Sequence, residues 1–134
     1  MAGVKNVSPP FQFYSGLSVT GQTNVYTSSA SSILYKDNIG LQYALTGNAT
    51  GQLDIEISNN YNPGKPQTEG SYNAGTWTAI TQTSPNTLPA VIGSGTASIY
   101  VNLNQLGASY LRSKWSNSSG SGTITGTFTA KSLG

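Results

Sequence analysis

Between Tyr110 and Leu133 the chain reads YLRSKWSNSSGSGTITGTFTAKSL, and its polarity alternates with a period of two on either side of a Ser/Gly-rich turn. Leu111, Ser113 and Trp115 face one way, and Tyr110, Arg112 and Lys114 the other. After the turn, Ile124, Gly126, Phe128 and Ala130 share a face opposite Thr123, Thr125, Thr127 and Thr129. Successive side chains of an extended chain point to opposite sides, so this pattern is that of half-buried antiparallel strands and not of a helix. The stretch predicts a hairpin with Trp115 and Phe128 inside and Arg112, Lys114 and Lys131 at or near one surface.

The same alternation recurs upstream. FQFYSGLSVTGQTNVYTSS offers two short strands, with Phe11 and Phe13 on one face and Gly16 and Gly21 as punctuation. Leu41, Tyr43 and Leu45 alternate after a Lys36-Asp37-Asn38 turn. QLDIEIS points Leu53, Ile55 and Ile57 inward and Asp54 and Glu56 outward, and the TGNATG turn between these segments predicts a hairpin over 40–58. TWTAI and ASIYVNLNQL add strands, the latter with Ile99, Val101 and Leu103 on one face. Only NQLGAS hints at helical spacing. About eight short strands predict an all-β fold, a single-domain two-sheet antiparallel sandwich of jelly-roll or Greek-key kind. Residues 1–10 read as an extended N-terminal arm, because Pro9-Pro10 forbids helix and donates nothing to a ladder. Residues 11–134 form the sandwich domain. Within it, 59–75 is a polar loop of about 17 residues, longer than ordinary connections and of a length that tends to be functional.

Composition removes most chemistry. The 134 residues suffice for one core without staples. There is no Cys and no His, which excludes disulfides and removes the commonest general base and metal ligand. Charged residues make up 7% of the chain, against about 25% in ordinary domains. A net charge of +2 argues for neither nucleic acid nor an anionic membrane as partner. The surface must therefore be Ser, Thr, Asn, Gln and Gly, which on a β-rich chain suits either coverage by partners in an assembly or the Thr/Ser/Asn-rich β-domains common among extracellular and virion proteins. No apolar run is long enough for a membrane-spanning helix, and MAGVKNVSPPFQF lacks the apolar centre of a secretion signal.

A carboxylate pair would have to come from Asp37, Asp54, Glu56 and Glu69. Asp54 and Glu56 lie on one strand face about 7 Å apart, a glycosidase-like separation, but they read more simply as the solvent face of an amphipathic strand. No Ca²⁺ loop and no phosphate-cradling motif occurs, and no hydroxyl has a His or Cys beside it. The chain reads as a non-enzyme that needs no cofactor and no metal. Tyr61, Tyr72 and Trp77, in or beside the long loop, suit stacking on a sugar ring, although T-W-T alternation also fits Trp77 as a core residue. Arg112 and Lys114 beside Tyr100 and Tyr110 are a weak hint of single-strand stacking. Sequons begin at Asn6, Asn48 and Asn117 and matter only in a eukaryotic secretory context.

Four blocks recur in an order similar to that of small tailed-bacteriophage virion proteins: GQLDIEISNN at 51–60, GTWTAI at 75–80, YLRSKW at 110–115, and SGSGTI at 119–124 followed by the closing AKSLG. The resemblance spans about residues 40–134 and concerns strand pattern rather than a catalytic signature. It implies a virion-associated β-sandwich, foremost a decoration (cement) protein on the outer capsid surface, made in the bacterial host cytoplasm. The implied partners are the major capsid protein and neighbouring copies in a dimer or trimer, without nucleic acid or membrane. The arm and loop then supply the contacts, by strand addition and many weak sites. The expected contact residues are Val4, Lys5, Pro9, Pro10, Phe11 and Phe13 in and beside the arm. Tyr61, Lys65 and Tyr72 in the loop, with Arg112 and Lys114, complete the set. The alternatives are a carbohydrate-binding module and a tail or head-to-tail connector component.

Overall fold

A computed structural model describes residues 5–7, 11–33, 36–64, 72–83, 87–93, 96–104 and 106–133. Val4, Pro9, Pro10 and Lys65 of the expected contact set, and Glu69 of the candidate acids, lie outside the described residues. The strands in chain order are β1 (Lys5–Val7), β2 (Phe11–Thr20), β3 (Asn24–Thr27), β4 (Ser31–Ser32), β5 (Asn38–Gly47), β6 (Thr50–Ser58), β7 (Thr78–Ala79), β8 (Ala90–Ile92), β9 (Ala97–Asn104), β10 (Tyr110–Ser119) and β11 (Ser121–Leu133). They form two antiparallel sheets packed face to face, an all-β sandwich.

In the first sheet β11 is flanked by β5 on one side and by β1 and β2 on the other, and β5 carries β9. In the second, β10 is flanked by β6 on one side and by β3 and β4 on the other, while β6 carries β7 and β8. Three strand positions are thus each shared by two strands, and each sheet is four positions wide. That reconciles eleven strands with the eight read from the sequence.

Both expected hairpins are corrected. β5 and β6 lie in different sheets, and so do β10 and β11. The turns at 47–50 and 119–121 are arches that carry the chain across the sandwich. β5 pairs instead with β11, from Gly122↔Gly47 to Lys131↔Asn38, and β6 pairs with β10. A hairpin would have laid both apolar rows side by side on one sheet with nothing over them. As arches, the same two segments supply both layers of the core. Gly47 (φ +88°) and Gly120 (φ +74°) make the crossings, in a backbone conformation that glycine alone adopts without strain. The arches brace each other: Asn48 N–H donates to the Ser121 carbonyl and Ser121 N–H to Asn48 Oδ1, both at 2.9 Å.

Leu41, Tyr43, Leu45, Ile124 and Phe128 line the inner face of the first sheet, and Leu53, Ile55, Leu111 and Trp115 that of the second, all essentially fully buried. Two tyrosine hydroxyls tie the layers together. Tyr43 on β5 hydrogen-bonds Ser113 on β10, and Tyr14 on β2 donates to the Tyr26 carbonyl on β3 at 2.6 Å. Burial raises the pKa of both phenols.

Two further expectations are corrected. Asp54 and Glu56 do alternate with the core residues, but they are buried, at 9% and 7% exposure, because the outer side of β6 is covered as well. Arg112 and Lys114 do not share a surface with Lys131, since β10 and β11 belong to opposite sheets.

Candidate functional site

Four aromatic residues outside the core, Tyr61, Tyr72, Trp77 and Tyr110, gather at one end of the second sheet, on its outer side. The site begins where β6 ends. Ser58 Oγ accepts from the N–H of Asn60 (3.3 Å) and Tyr61 (3.1 Å), which turns the chain back on itself. Asn60 Oδ1 accepts the Thr76 N–H at 2.7 Å, and Asn62 and Asn73 exchange both backbone hydrogen bonds at 2.9 Å. Asn62 and Asn73 also cap their own turns by accepting from Gly64 and Gly75 N–H, each at 2.8 Å. The base of the long loop is therefore a closed ribbon, and its ribbon geometry sets Tyr61 at the centre of a ring cluster.

Tyr61 packs at a centroid distance of 4.9 Å from Tyr110, 5.5 Å from Trp77 and 6.3 Å from Tyr72, with the two tyrosines edge-on. Such edge contacts suit the ring quadrupoles and hold each ring in one orientation. Trp77 is fixed further by donation from its Nε1 to the Ala74 carbonyl at 2.8 Å. The Arg112 guanidinium lies 4.1 Å from the Trp77 ring centre. Its Nε donates to Glu56 Oε1 at 2.8 Å, and Lys114 Nζ stands 3.8 Å from Glu56 Oε2. Asp54 accepts from Gln52 Nε2 at 3.1 Å. β10 and β6 set these pairs by register, with Arg112 opposite Glu56 and Lys114 opposite Asp54.

The arrangement holds one exposed ring, Tyr72 at 64%, on a braced support of half-buried Tyr61, Trp77 and Tyr110. A rigid amphipathic ring of this kind can fill a pocket on a partner or lie against a sugar. Both carboxylates beneath it are engaged by neighbouring side chains and turned away from solvent.

Of the expected contact residues, Tyr61, Tyr72, Arg112 and Lys114 converge here. Lys5 lies in β1, which pairs with the end of β11 in the other sheet. Phe11 and Phe13 also belong to that sheet, on β2. Phe11 is 39% exposed, whereas Phe13 is buried edge-on against Phe128 at 5.5 Å, so it serves the core rather than an outer contact. Beside them the flank between the sheets opens into a cavity of about 280 Å³ lined by Phe13, Leu17 and Thr27 among others. Trp77 joins Tyr61 and Tyr72 as the sugar-stacking reading grouped them, whereas Tyr110 and Glu56 belong to the cluster without having been assigned to it from sequence. Tyr110 was legible, because it alternates onto the same face as Arg112 and Lys114. For Trp77 the T-W-T alternation also fitted a core position, and the structure leaves it half-buried against Tyr61 in the cluster.

No protein-family model matches the chain, and no curated protein matches it either. Among solved structures it is similar to the SPBc2 prophage-derived protein YomS, with 10% identity, a TM-score of 0.58, and 98% of each chain covered. It is similar also to a structure of infectious bursal disease virus, Gx strain, with 11% identity and a TM-score of 0.58; that match takes in 99% of this chain but 33% of the other. These likenesses show the fold.

Proposed function

We propose that the chain is a non-enzymatic structural protein of a bacteriophage virion and, within the virion, a decoration protein bound to the outside of the capsid. The observation that carries this reading is the strand order. Numbered by position, the eight strands cross between the sheets in the sequence of a jelly roll, with only the β6-to-β7 step staying within a sheet. Jelly rolls are a recurrent architecture of capsid proteins. The fold neighbours agree: one derives from a prophage along its whole length, and the other is a virus structure in which this fold fills a third of the chain. In this reading Tyr72 and its support are the anchor for the major capsid protein, since Tyr, Trp and Arg dominate the energetics of interfaces.

A second reading, glycan binding at the same ring cluster, is favoured by one observation. Tyr72 is the most exposed aromatic ring in the described chain, and the polar side chains of Asn60 and Thr76 adjoin its support.

The test of the first reading is the copy number of this chain in purified virions, by quantitative mass spectrometry against the major capsid protein. Hundreds of copies support decoration. A dozen or fewer moves the protein to the tail or the head-to-tail connector, and complete absence refutes a virion role.

A further inference from the structure

The two sheets have four outer edges, and three of them are interrupted among the described residues. Beside β11 the edge is shared by β1 and β2, with Pro9-Pro10 between them in sequence and register breaks around Gly126. In the second sheet one edge is divided between β3 and β4 and the other between β7 and β8. The fourth edge is β9. Ala97–Asn104 pairs with β5 through eight consecutive positions without a break, and no described strand pairs with its other side. Its sequence, ASIYVNLN, holds no charge, no proline and no glycine. Charge, proline and bulges are the devices that keep free edges from pairing, and β9 lacks all three. The Tyr100 side chain leans back over Gly40 on its own sheet, its hydroxyl 3.2 Å and its ring 3.8 Å from where a Cβ there would stand, so it does not cover the outward backbone of the strand.

We propose that β9 is a self-association edge, at which two copies of this chain pair β9 antiparallel about a two-fold axis through Tyr100. Parity sets the options. Directly opposed residues in an antiparallel pair share a face, so the axis must pass through a residue position rather than between two. An axis at Tyr100 opposes Ile99 to Val101 and Ala97 to Leu103, which matches every inward side chain of the strand with another inward one. Moving the axis to Val101 leaves Ala97 without an inward partner inside the strand. Pairing extends the apolar layer over Ala97 and Ile99, which are only half-buried at the edge of the monomer. An uncharged edge meets its own copy without repulsion, which favours a second copy over a charged or proline-rich arm from another protein. The inference concerns the free chain and does not depend on the virion reading.

The test uses the absence of cysteine from the chain. Tyr100→Cys introduces a single thiol that meets its own copy at the axis, and mild oxidation should convert most of the protein to a covalent dimer on a non-reducing gel. Ser98→Cys is the control. In this register the two 98 positions lie about 14 Å apart, four residues along the strand, well beyond the roughly 7 Å between Cα atoms that a disulfide tolerates. It should stay monomeric on the gel. In sedimentation the wild type should dimerise, and Tyr100→Lys, which opposes like charges at an exposed site, should raise the dimer dissociation constant at least about tenfold, equivalent to about 1.4 kcal/mol. Its monomer circular dichroism should be unchanged. A wild type that is monomeric at all concentrations refutes the proposal. So does equal cross-linking at 98 and 100, or a dimer that Tyr100→Lys leaves intact. A monomeric chain whose β9 becomes protected only on added capsids also refutes it, in favour of a strand from another protein.

Discussion

Arg112→Ala removes the side chain that ties the Trp77 ring of the cluster to the Glu56 carboxylate of the sheet beneath it. The cost has two parts and an offset. The Nε–H to Glu56 hydrogen bond, at 2.8 Å to a carboxylate whose side chain is 10% exposed, is of the charge-assisted kind that contributes about 1.5–3 kcal/mol. The arginine itself is 26% exposed, which places it toward the lower end. The guanidinium over Trp77 at 4.1 Å adds about 0.5–1 kcal/mol. The offset is Lys114, 3.8 Å from the other carboxylate oxygen, which keeps Glu56 from becoming a deserted buried charge with its penalty of about 3–5 kcal/mol. The expected loss is about 2–3 kcal/mol. Arg112→Lys, which keeps the charge but not the planar stack or the Nε donor, should lose about 1 kcal/mol. Urea unfolding followed by tryptophan fluorescence measures both, read as shifted midpoints at a constant slope. The decisive comparison is a double-mutant cycle with Glu56→Gln, in which the two changes should cost clearly less together than their sum. Additivity within error, or a cost for Arg112→Ala below about 0.5 kcal/mol as at an ordinary surface position, would refute the account.

Asn117→Ala should be at least as damaging, by about 2–4 kcal/mol, because this buried amide accepts from Trp115 Nε1 at 3.1 Å and donates to the Gly21 carbonyl at 2.7 Å and the Gly120 carbonyl at 3.2 Å. Thermal unfolding of the variant reads the loss. Tyr14 and Tyr43 have folded pKa values raised by burial above the ordinary value of 10.0, so the native state favours the neutral phenols. The stability they confer is complete below about pH 10 and is lost as pH rises through the alkaline range. Tyrosinate absorbance should accordingly show two phenols that ionise only as the circular dichroism signal collapses. Tyr72→Ala should leave stability within about 0.5 kcal/mol while weakening association with purified capsids at least about tenfold, measured by co-sedimentation.

Facing was legible in the sequence because it is a property of each strand alone. Leu41, Tyr43 and Leu45, or Leu111, Ser113 and Trp115, alternate in whatever company they fold, and every one of them is buried. Pairing was not legible, because a Gly-bearing turn closes a hairpin or crosses a sandwich with the same flanking alternation. What separates the two outcomes at 47–50 and 119–121 is each arch's contact with the other, through Asn48 and Ser121, and those residues lie 73 positions apart. Burial of Asp54 and Glu56 was missed for the same reason. Alternation pointed them away from the core correctly, but that Arg112 and Lys114 stand opposite them follows only from the β6–β10 register.

That register also explains how a chain with so little charge uses it. Arg112 opposite Glu56 and Lys114 opposite Asp54 are two cross-strand pairs whose charges cancel within one ladder. Of the four, Arg112 reaches the ring cluster, where Glu56 holds it over Trp77, so this charge acts locally rather than projecting a field. Outside that ladder hydroxyls carry most of the outer side of β11, in the row Thr123, Thr125, Thr127 and Thr129, which ends at the exposed Lys131. Such a surface neither steers a charged partner from a distance nor repels a second copy. What it leaves for recognition is short-range: a braced tyrosine at one end of the second sheet, and an unbroken, uncharged backbone edge on the first. The two lie in different sheets, so under the proposed virion role one would engage a capsid while the other engages a neighbouring copy. Contacts of both kinds repeated over a lattice would let individually weak sites hold collectively.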